Sequence, residues 1–420
     1  MSCNHKWFTV FAEDYCKKVT DGTHDSPKKQ LEGKYLITSR HLKEFSLDLN
    51  NAYRISESDF NKINERSKVD TWDIMISMIG TVGNIYLEKS HQIDYAIKNV
   101  GLFKMGGDVE KAKWLYYYLK SPKAQEYIKV NMRGSTQQYI PLGSLRKLPI
   151  KVSAFNKEMN TITHILSTLD EKIETNNQIN EKLEEMAQAL FKHWFVDFEF
   201  PNENGKPYKS SGGEMVESEL GEIPKGWKVD KLSSIAEIIM GQSPKSDTYN
   251  TDKIGLPLLN GATDFQNKNL SPSKYTSDPK KVGEKGDFVF GVRATIGLVT
   301  ELDDRYAIGR GSGIARAFDN MYKEFLYEIL NIAFSNFQYT ASGSVYLNVS
   351  KNDLEDYKLV IPDINILRRY HKITKSILNQ KENLKRENAV LEKLRDTLLP
   401  KLMSGEIRVP LDDEVLSEKN

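Results

Sequence analysis

Cysteine is nearly absent from this sequence, and its scarcity argues against a fold stapled by disulfides. The only two cysteines, Cys3 and Cys16, do not form a CxxC pair. We therefore expect two free thiols and no metal site. The seven scattered histidines do not change that expectation.

Apolar runs long enough to cross a membrane are also missing. No stretch approaches the roughly 18 to 20 residues that a membrane span needs. The opening MSCNHKWFTVFAEDY lacks the basic-then-apolar layout of a secretion signal. The sequence therefore predicts a cytoplasmic protein with no membrane partner.

Motifs of cofactor-dependent catalysis are the third absence. The chain has no NPPY-type or DPPY-type tetrapeptide for a flipped adenine, no FxGxG loop and no GxxxxGK[ST] phosphate loop. The run from Gly309 to Gly313 lacks the spacing of a dinucleotide fingerprint, so it predicts a flexible loop or a DNA-backbone contact by Arg310. Asp170-Glu171-Lys172 has the residue types of a metal nuclease but falls within a heptad helix. We expect no catalysis and no bound cofactor.

The sequence does contain a duplication. An aromatic opener, a Gly-Ser-Pro loop, apolar strands, a glycine turn, a second polar loop and a long heptad helix follow Trp7, and the same order follows Trp227. The offset between the copies is 220 at Trp7, 214 at Gly83 and 208 at Leu183. Tandem copies of this kind predict two similar modules for two similar targets.

Each copy is predicted to contain a hairpin, a helix with an aromatic stripe that belongs to the core, and a closing strand. These elements follow from apolar alternation and helical spacing. The predicted strands and hairpins are 34–38, 72–87 and 145–152 in the first copy and 255–261, 286–299 and 356–362 in the second, with helices at 110–128 and 322–337.

Polar loops in each copy are the candidate ligand contacts. Residues 133–139 and 342–348 offer Arg, Gln, Asn and Ser side chains that can contact base edges, although a solvated connector explains them as well. The glycine turns at 80–83 and 293–297 suit a close ligand approach or a plain hairpin turn. The candidate DNA contacts are Thr23, His24, Arg40, Thr81, Arg133, Ser135, Thr136, Gln137, Gln138 and Tyr139 in the first copy, and Gln242, Ser243, Lys245, Arg293, Thr295, Arg310, Ser342, Ser344, Tyr346 and Asn348 in the second.

Two helices with matching heptad rows follow the two copies, and they predict an antiparallel coiled coil. Lys172 and Glu387 are polar residues at predicted seam positions that would face each other in such a pair. The predicted pairing residues are Ile165, Leu169, Lys172, Asn176, Ile179, Leu183, Met186 and Leu190 in the first helix, and Ile373, Ile377, Gln380, Leu384, Glu387, Leu391, Leu394 and Leu398 in the second.

Charge is distributed unevenly along the chain despite a net charge of only +1. Residues 1–150 contain 23 Lys and Arg against 17 Asp and Glu, whereas residues 227–363 contain 16 against 18. The basic first copy suits contact with phosphates. The acidic second copy leaves open a scaffold that binds protein instead of DNA.

Several segments resemble the specificity subunit of type I restriction-modification systems, and the resemblance spans nearly the whole chain. They include VTDGTHDSP, FKHWFVDFEFP, GEIPKGW followed by MGQSP, and the closing LLPKLMSGEIRV. The family resemblance implies an α+β fold with two globular target-recognition domains in a pseudo-twofold arrangement, separated by two long antiparallel coiled-coil helices. The corresponding divisions are 1–152 and 227–363 for the domains, 153–198 and 364–408 for the helices, 199–226 for a linker and 409–420 for a tail.

The same resemblance implies a division of labour among subunits. Each domain would read one half of a bipartite double-stranded DNA site. Modification subunits, two of them expected, would methylate adenine with S-adenosylmethionine. Restriction subunits would translocate and cleave DNA with ATP and Mg²⁺. This chain itself would be non-catalytic.

Overall fold

The computed structural model describes residues 7–261, 264, 270–292, 296–340 and 348–409. The chain forms two compact units, one built from Met1–Gln178 with Leu384–Asn420 and the other from Ile179–Asn383. Each unit contains one copy of the repeat and part of both long helices. Mixed helix and sheet, two copies and two long helices confirm the predicted α+β class.

The first copy contains strands β1–β9 and helices α1–α5. The strands are Trp7–Phe11, Lys18–Asp21, Lys34–Thr38, Arg54–Ile55, Ile74–Ser77, Ile85–Leu87, Tyr95–Lys98, Val100–Lys104 and Pro149–Ser153. The helices are Ala12–Tyr15, Glu57–Ser67, Val109–Lys120, Pro122–Val130 and Leu142–Arg146. A 3₁₀ turn covers Ser39–His41.

The remaining elements are the two long helices, a hairpin in the segment 199–226 (β10 and β11) and the second copy. Helix α6 is Asn156–Phe191 and continues into a π-helical turn, Lys192–Val196. Strands β10–β22 are Met215–Ser218, Gly221–Pro224, Lys228–Lys231, Ala236–Met240, Tyr249–Asn250, Leu256–Leu259, Lys274–Thr276, Val282–Gly283, Phe288–Gly291, Val299–Glu301, Tyr306–Ile308, Ser312–Ala317 and Lys358–Ile361. Helices α7–α9 are Lys323–Thr340, Lys351–Glu355 and Ile364–Ser404.

Sheet topology repeats between the copies. The strand order β2-β8-β5-β6 in the first copy matches β13-β21-β18-β19 in the second. A parallel pair, β3 with β7, matches β15 with β20. The antiparallel pair β1 with β9 matches β12 with β22. The duplication inferred from weak sequence signals is therefore a duplication of the fold.

A buried acid also repeats at the start of the central hairpin. The Asp73 carboxylate lies 2.5 Å from Lys104 Nζ, and the Asp287 carboxylate receives hydrogen bonds of 2.9 and 2.7 Å from Arg316. Both acids are at most 5% exposed. Because an unpaired buried charge is costly, each pair fixes the hairpin to its neighbouring strand.

The helix predicted at 110–128 is two helices in the structure. Helix α3 ends at Lys120, and α4 begins at Pro122. The Ser121 hydroxyl accepts a hydrogen bond from the Ala124 amide, and proline suits the first position of a helix because its missing N–H is not needed there. The Ser-Pro dipeptide therefore divides a continuous helical pattern. The stripe Trp114, Tyr116, Tyr117 and Tyr118 is at most 5% exposed, which confirms its place in the core.

The segment 199–226 has more structure than its Gly, Pro and Ser content indicates. Its strands β10 and β11 form an antiparallel hairpin. The Phe200 ring stacks on Tyr208 at 4.6 Å and on Trp227 at 4.8 Å between centroids. These aromatic contacts attach the segment to the core of the second unit.

The two long helices run antiparallel within each unit. In the first unit, Asp170 pairs with Arg395, and Asn176 pairs with Glu387 further along α6. In the second unit, Glu184 pairs with Lys381, and the ring of Phe191 contacts that of Tyr370. Residues further along α6 contact residues progressively earlier in α9. The predicted antiparallel direction is therefore confirmed.

One of the two predicted seam rows is displaced by one residue in both helices. The predicted residues Ile179, Met186, Ile373 and Leu394 are 36–57% exposed, and Gln380 is exposed too. The inward row consists of Leu166, Ile173, Asn180 and Ala187 in α6, and of Thr374, Lys381, Asn388 and Arg395 in α9. The other predicted row is buried or half-buried. It contains Leu169, Asn176, Leu183 and Leu190 in α6, and Ile377, Leu384, Leu391 and Leu398 in α9.

Polar partners explain the displacement. Asn176 Nδ2 donates to Asn388 Oδ1 at 2.8 Å, and Asn388 Nδ2 donates to Asn177 Oδ1 at 2.8 Å. The side chains of Asn176 and Asn388 are buried and hydrogen-bonded to each other, whereas Asn177 is exposed. Hydrophobicity alone places a polar residue such as Asn388 on the surface. The predicted row therefore contained Ile179, Met186 and Ile373, which are exposed.

The predicted contact between Lys172 and Glu387 is present, but it lies at the rim of the seam. Lys172 Nζ is 3.5 Å from Glu387 Oε1, and the two side chains are 48% and 43% exposed. Exposed ion pairs contribute about 0–1 kcal/mol. This pair is therefore a weak determinant of register compared with the buried amides beside it.

Cys16 is a free thiol that is 7% exposed. Burial and the negative charge of Asp73 raise the pKa of Cys16 to about 12. We expect a Cys3→Ser variant to resist iodoacetamide at pH 8 while folded, because the reactive thiolate is scarce at that pH. Mass spectrometry should detect rapid alkylation only after urea is added. Rapid labelling of the folded variant would contradict the assigned burial.

Candidate nucleic-acid interface

The first candidate loop of copy one is attached to the connection between β7 and β8. Gly22 N donates to Val100 O at 2.9 Å, and Thr23 N donates to Ile97 O at 3.0 Å. The His24 imidazole is exposed, with Nδ1 2.8 Å from Asn99 Oδ1 and Nε2 3.1 Å from Asp21 Oδ2. A fixed ring at an exposed edge is suited to contact a ligand.

The 3₁₀ turn at 39–41 lies beside this loop. Ser39 Oγ donates to Asn99 O at 3.0 Å and accepts hydrogen bonds from the Met78 and Ile79 amides at 3.2 and 3.3 Å. The turn therefore holds Arg40 next to both the β7–β8 connection and the glycine turn after β5. Arg40 is exposed.

Arg40 also contacts the buried imidazole of His41. Arg40 Nε lies 3.0 Å from His41 Nε2. Burial lowers the pKa of His41, and the positive charge of Arg40 lowers it further. Because its pKa is lowered, the His41 ring does not readily add a second positive charge beside the guanidinium.

The loop 133–139 lies against the glycine turn that contains Thr81. Gly80 N donates to Gln138 O at 3.1 Å, and Ile140 N donates to Met78 O at 2.9 Å. Two backbone hydrogen bonds between Arg133 and Tyr139, of 2.8 and 2.9 Å, close the loop on itself. All seven residues of this loop are exposed.

The ten residues predicted in the first copy therefore lie on four loops that hydrogen bonds join into one surface. Exposed lysines lie on the same loops or next to them. These are Lys28 and Lys29, which follow His24, and Lys43, whose Nζ lies 3.4 Å from Arg40 O. Positive charge around polar, exposed loops suits a polyanion.

The second copy repeats this arrangement in the described residues. Gly241 N donates to Ser312 O, and Gln242 N donates to Ile308 O, both at 2.9 Å, as Gly22 and Thr23 do in the first copy. Arg310 N donates to Ser243 Oγ at 3.4 Å. The Lys245 carbonyl accepts from the Thr248 amide at 3.0 Å, and its side chain is exposed.

The Gly309–Gly313 run is a tightly packed turn, which corrects the prediction of a flexible loop. A Cβ on Gly309 would lie 2.1 Å from Asn260 Oδ1, and a Cβ on Gly311 would lie 2.2 Å from Asn260 O. Glycine is needed there because the backbones approach so closely. Arg310 is exposed at the centre of this turn.

The last candidate loop of the second copy is described only at its end. Val349 N donates to Val292 O at 3.2 Å, the equivalent of the Ile140–Met78 bond, and Asn348 is exposed. The predicted contacts Arg293, Thr295, Ser342, Ser344 and Tyr346 lie outside the described residues.

Two residues that organise the first surface, Ser39 and Asn99, were not predicted from the sequence. Asn99 has a positive φ of 54° between β7 and β8. Asparagine tolerates this conformation better than most residues, so an Asn between two predicted strands was an available signal. Ser39 had no comparable signal, because its partners are 39 to 60 residues away.

The part of the chain that the structure describes contains no group of three or more His, Cys, Asp or Glu side chains that could hold a metal ion. None of the described helices combines the length and apolar character of a membrane span. The exposed loops remain the candidate site.

Comparison with known proteins gives a consistent family assignment. The family model for the type I restriction modification DNA specificity domain matches residues 4–185 and again 224–393. The protein named as the specificity subunit of restriction enzyme MjaX, from Methanocaldococcus jannaschii, is 31% identical over 300 residues, covering 70% of this chain and 68% of its own. The HindI specificity subunit of Haemophilus influenzae is 25% identical over 401 residues, covering 80% and 86%.

A solved structure supports the fold. The S subunit of a type I restriction-modification system from M. genitalium matches with a TM-score of 0.53 at 18% identity, covering 96% of this chain and 97% of that one. The two family matches coincide with the two copies of the repeated fold. This chain therefore belongs to the family of type I restriction-modification DNA specificity subunits.

Proposed function

We propose that this chain is the DNA-reading subunit of a cytoplasmic type I restriction-modification complex. Each copy reads one half of a bipartite site through its joined loops. The two long helices set the gap between the half-sites and dock the modification subunits. Recognition directs adenine methylation or restriction by the other subunits.

The observation that carries the proposal is the repeated anchoring of exposed polar loops. Equivalent backbone bonds hold the first loop in both copies, at Thr23 and at Gln242. A repeated backbone frame with different exposed side chains, such as His24 and Ser243, suits two half-sites of different sequence. Family membership favours DNA over the alternative of a protein-binding scaffold.

The chemistry belongs, in this proposal, to partner subunits. Two modification subunits would supply S-adenosylmethionine-dependent methyl transfer, and restriction subunits would supply ATP- and Mg²⁺-dependent translocation and cleavage. This chain would remain non-catalytic and bind none of these cofactors. Its contribution is the choice of site.

The loop 133–139 offers a direct test. We expect Gln137→Ala with Gln138→Ala to relax base preference in one half-site only, because losing a bidentate base contact costs about 1–3 kcal/mol at that base pair. The measurement is methylated-adenine mapping of a random-sequence library after treatment with the reconstituted complex.

The matched control is Gln242→Ala in the second copy, which should relax the other half-site. If the double variant instead loses affinity equally for every sequence, the loop contacts phosphates. If the wild-type complex shows no bipartite preference, the proposed function is wrong.

A further inference from the structure

Asn99 lies where two candidate loops of the first copy meet, the loop with Thr23 and His24 and the 3₁₀ turn at 39–41. Its amide N donates to Thr23 O at 3.1 Å, and its carbonyl accepts from Ser39 Oγ at 3.0 Å. Its side-chain Oδ1 lies 2.8 Å from His24 Nδ1. The backbone N–H and the side chain of Asn99 therefore contact neighbouring residues of the first loop, and its carbonyl contacts the 3₁₀ turn.

The contacts of Asn99 continue to the remaining loops through Ser39. The Ser39 hydroxyl accepts the Met78 and Ile79 amides at the start of the glycine turn. Gly80 N in that turn donates to Gln138 O in the 133–139 loop. Half-buried Asn99 thus contacts the first loop and the 3₁₀ turn directly, reaches the glycine turn through Ser39, and reaches the 133–139 loop through the glycine turn.

The side chain and backbone of Asn99 have separable tasks. The positive φ of 54° and the two backbone hydrogen bonds require only a residue that tolerates this conformation. The Oδ1 contact is different, because its partner is the exposed imidazole of a candidate base-contact residue. Asp21 Oδ2, on a side chain that is 4% exposed, holds the other nitrogen of the same ring.

The equivalent connection of the second copy has a different solution. The β20–β21 turn contains Arg310 between two tightly packed glycines, and Arg310 N donates to Ser243 Oγ. The β7–β8 turn of the first copy contacts His24, and the β20–β21 turn of the second copy contacts Ser243, which is the equivalent residue. In the first copy the contact is made by the Asn99 side chain, and in the second it is made by backbone.

We propose that Asn99 is a positioning residue for sequence reading, which fixes the His24 imidazole at the surface that reads the first half-site. This inference rests on the proposed function. Asn99 acts through His24 and needs no contact with DNA of its own. The base preference of the first half-site, at the base pair that faces His24, should therefore depend on the side-chain amide of Asn99.

The decisive variant is Asn99→Gly, because glycine adopts the same φ and keeps both backbone hydrogen bonds. In the reconstituted complex, we expect it to reduce discrimination at the affected base pair by about tenfold, as measured by methylation of a random-sequence library. His24→Ala should relax the same base pair, and the double variant should equal His24→Ala alone. Asn99→Asp keeps an oxygen for His24 and should retain the preference.

Ser243→Ala in the second copy is the matched control, and it should leave the first half-site unchanged. Preference unaltered by Asn99→Gly, or additive losses in the double variant, would overturn the inference. A similar loss at both half-sites would also overturn it, because it would indicate a general structural effect. If the wild-type complex shows a bipartite preference, the proposed function stands, and any of these results counts against the role of Asn99 alone.

Discussion

Arg395→Ala is expected to lower the free energy of unfolding of the first unit by about 3–5 kcal/mol, because it leaves a buried carboxylate without its main partner. Arg395 Nη1 lies 2.7 Å from Asp170 Oδ1 and 2.8 Å from Glu44 Oε1. The side chains of Arg395 and Asp170 are 6% and 5% exposed. Tyr117 donates to the other Asp170 oxygen at 2.9 Å.

The ion network joins the first copy to both long helices. Glu44 belongs to a loop of the recognition module and also lies 2.6 Å from Lys120 Nζ. Burial disfavours charge on Arg395, yet the hydrogen bond and the charge of Asp170 outweigh it, so the pKa of Arg395 lies above its ordinary value. Arg395 therefore stays protonated across the physiological range.

Native-state hydrogen exchange can measure this loss in one unit at a time. Amides of β5 and β8 report on the first unit, and those of β18 and β21 in the second unit are the internal control. The positions that correspond to Asp170 and Arg395 in the second unit are Leu378 and Ala187. Asp170→Leu combined with Arg395→Met should therefore recover most of the loss. A loss below about 1 kcal/mol for Arg395→Ala would contradict the assigned role.

A seven-residue insertion in both long helices is expected to lengthen the gap between the half-sites without changing either one. Seven helical residues add about 10.5 Å, and DNA rises about 3.4 Å per base pair, so the expected increase is about one to three base pairs. Suitable points lie between Gln178 and Ile179 and between Asn383 and Leu384, where the two compact units divide. Contacts within each unit would then be retained.

Methylation mapping of the reconstituted complex gives the gap directly. The control is the same insertion after Asn204, in the exposed turn between Asn202 and Lys206, which leaves both helices intact. That variant should keep the original gap. An unchanged gap in the helix variant, with both half-sites preserved, would show that the helices do not measure the distance.

Local patterns were sufficient to predict much of the fold. The hairpins at 72–87 and 286–299 follow from apolar residues on both sides of a glycine turn, and the structure contains β5–β6 and β18–β19 there. The aromatic stripe around Trp114 follows from helical spacing. Such features depend on residues close together in the chain, so the sequence alone is informative about them.

The helix seam shows where local patterns fail. Asn388 and Arg395 are buried at 6% and 5% exposure because Asn176 and Asp170 satisfy them. Those partners lie more than 200 residues away in sequence, so hydrophobicity alone assigns the pair Asn388 and Arg395 to the surface. The predicted row shifted by one residue as a result.

The sequence by itself determined the duplication, the central hairpin and the closing strand of each copy, the direction of the helix pair and the loops that could contact DNA. Only the tertiary structure decided which helix row faces inward and that Thr23, Arg40, Thr81 and Gln138 lie on loops joined into one surface. The physical reason is that these outcomes depend on hydrogen bonds between distant segments, from Ser39 to Asn99, from Gly80 to Gln138 and from Asp170 to Arg395. Periodicity specifies which face of an element is apolar, but long-range partners determine which polar groups can be buried.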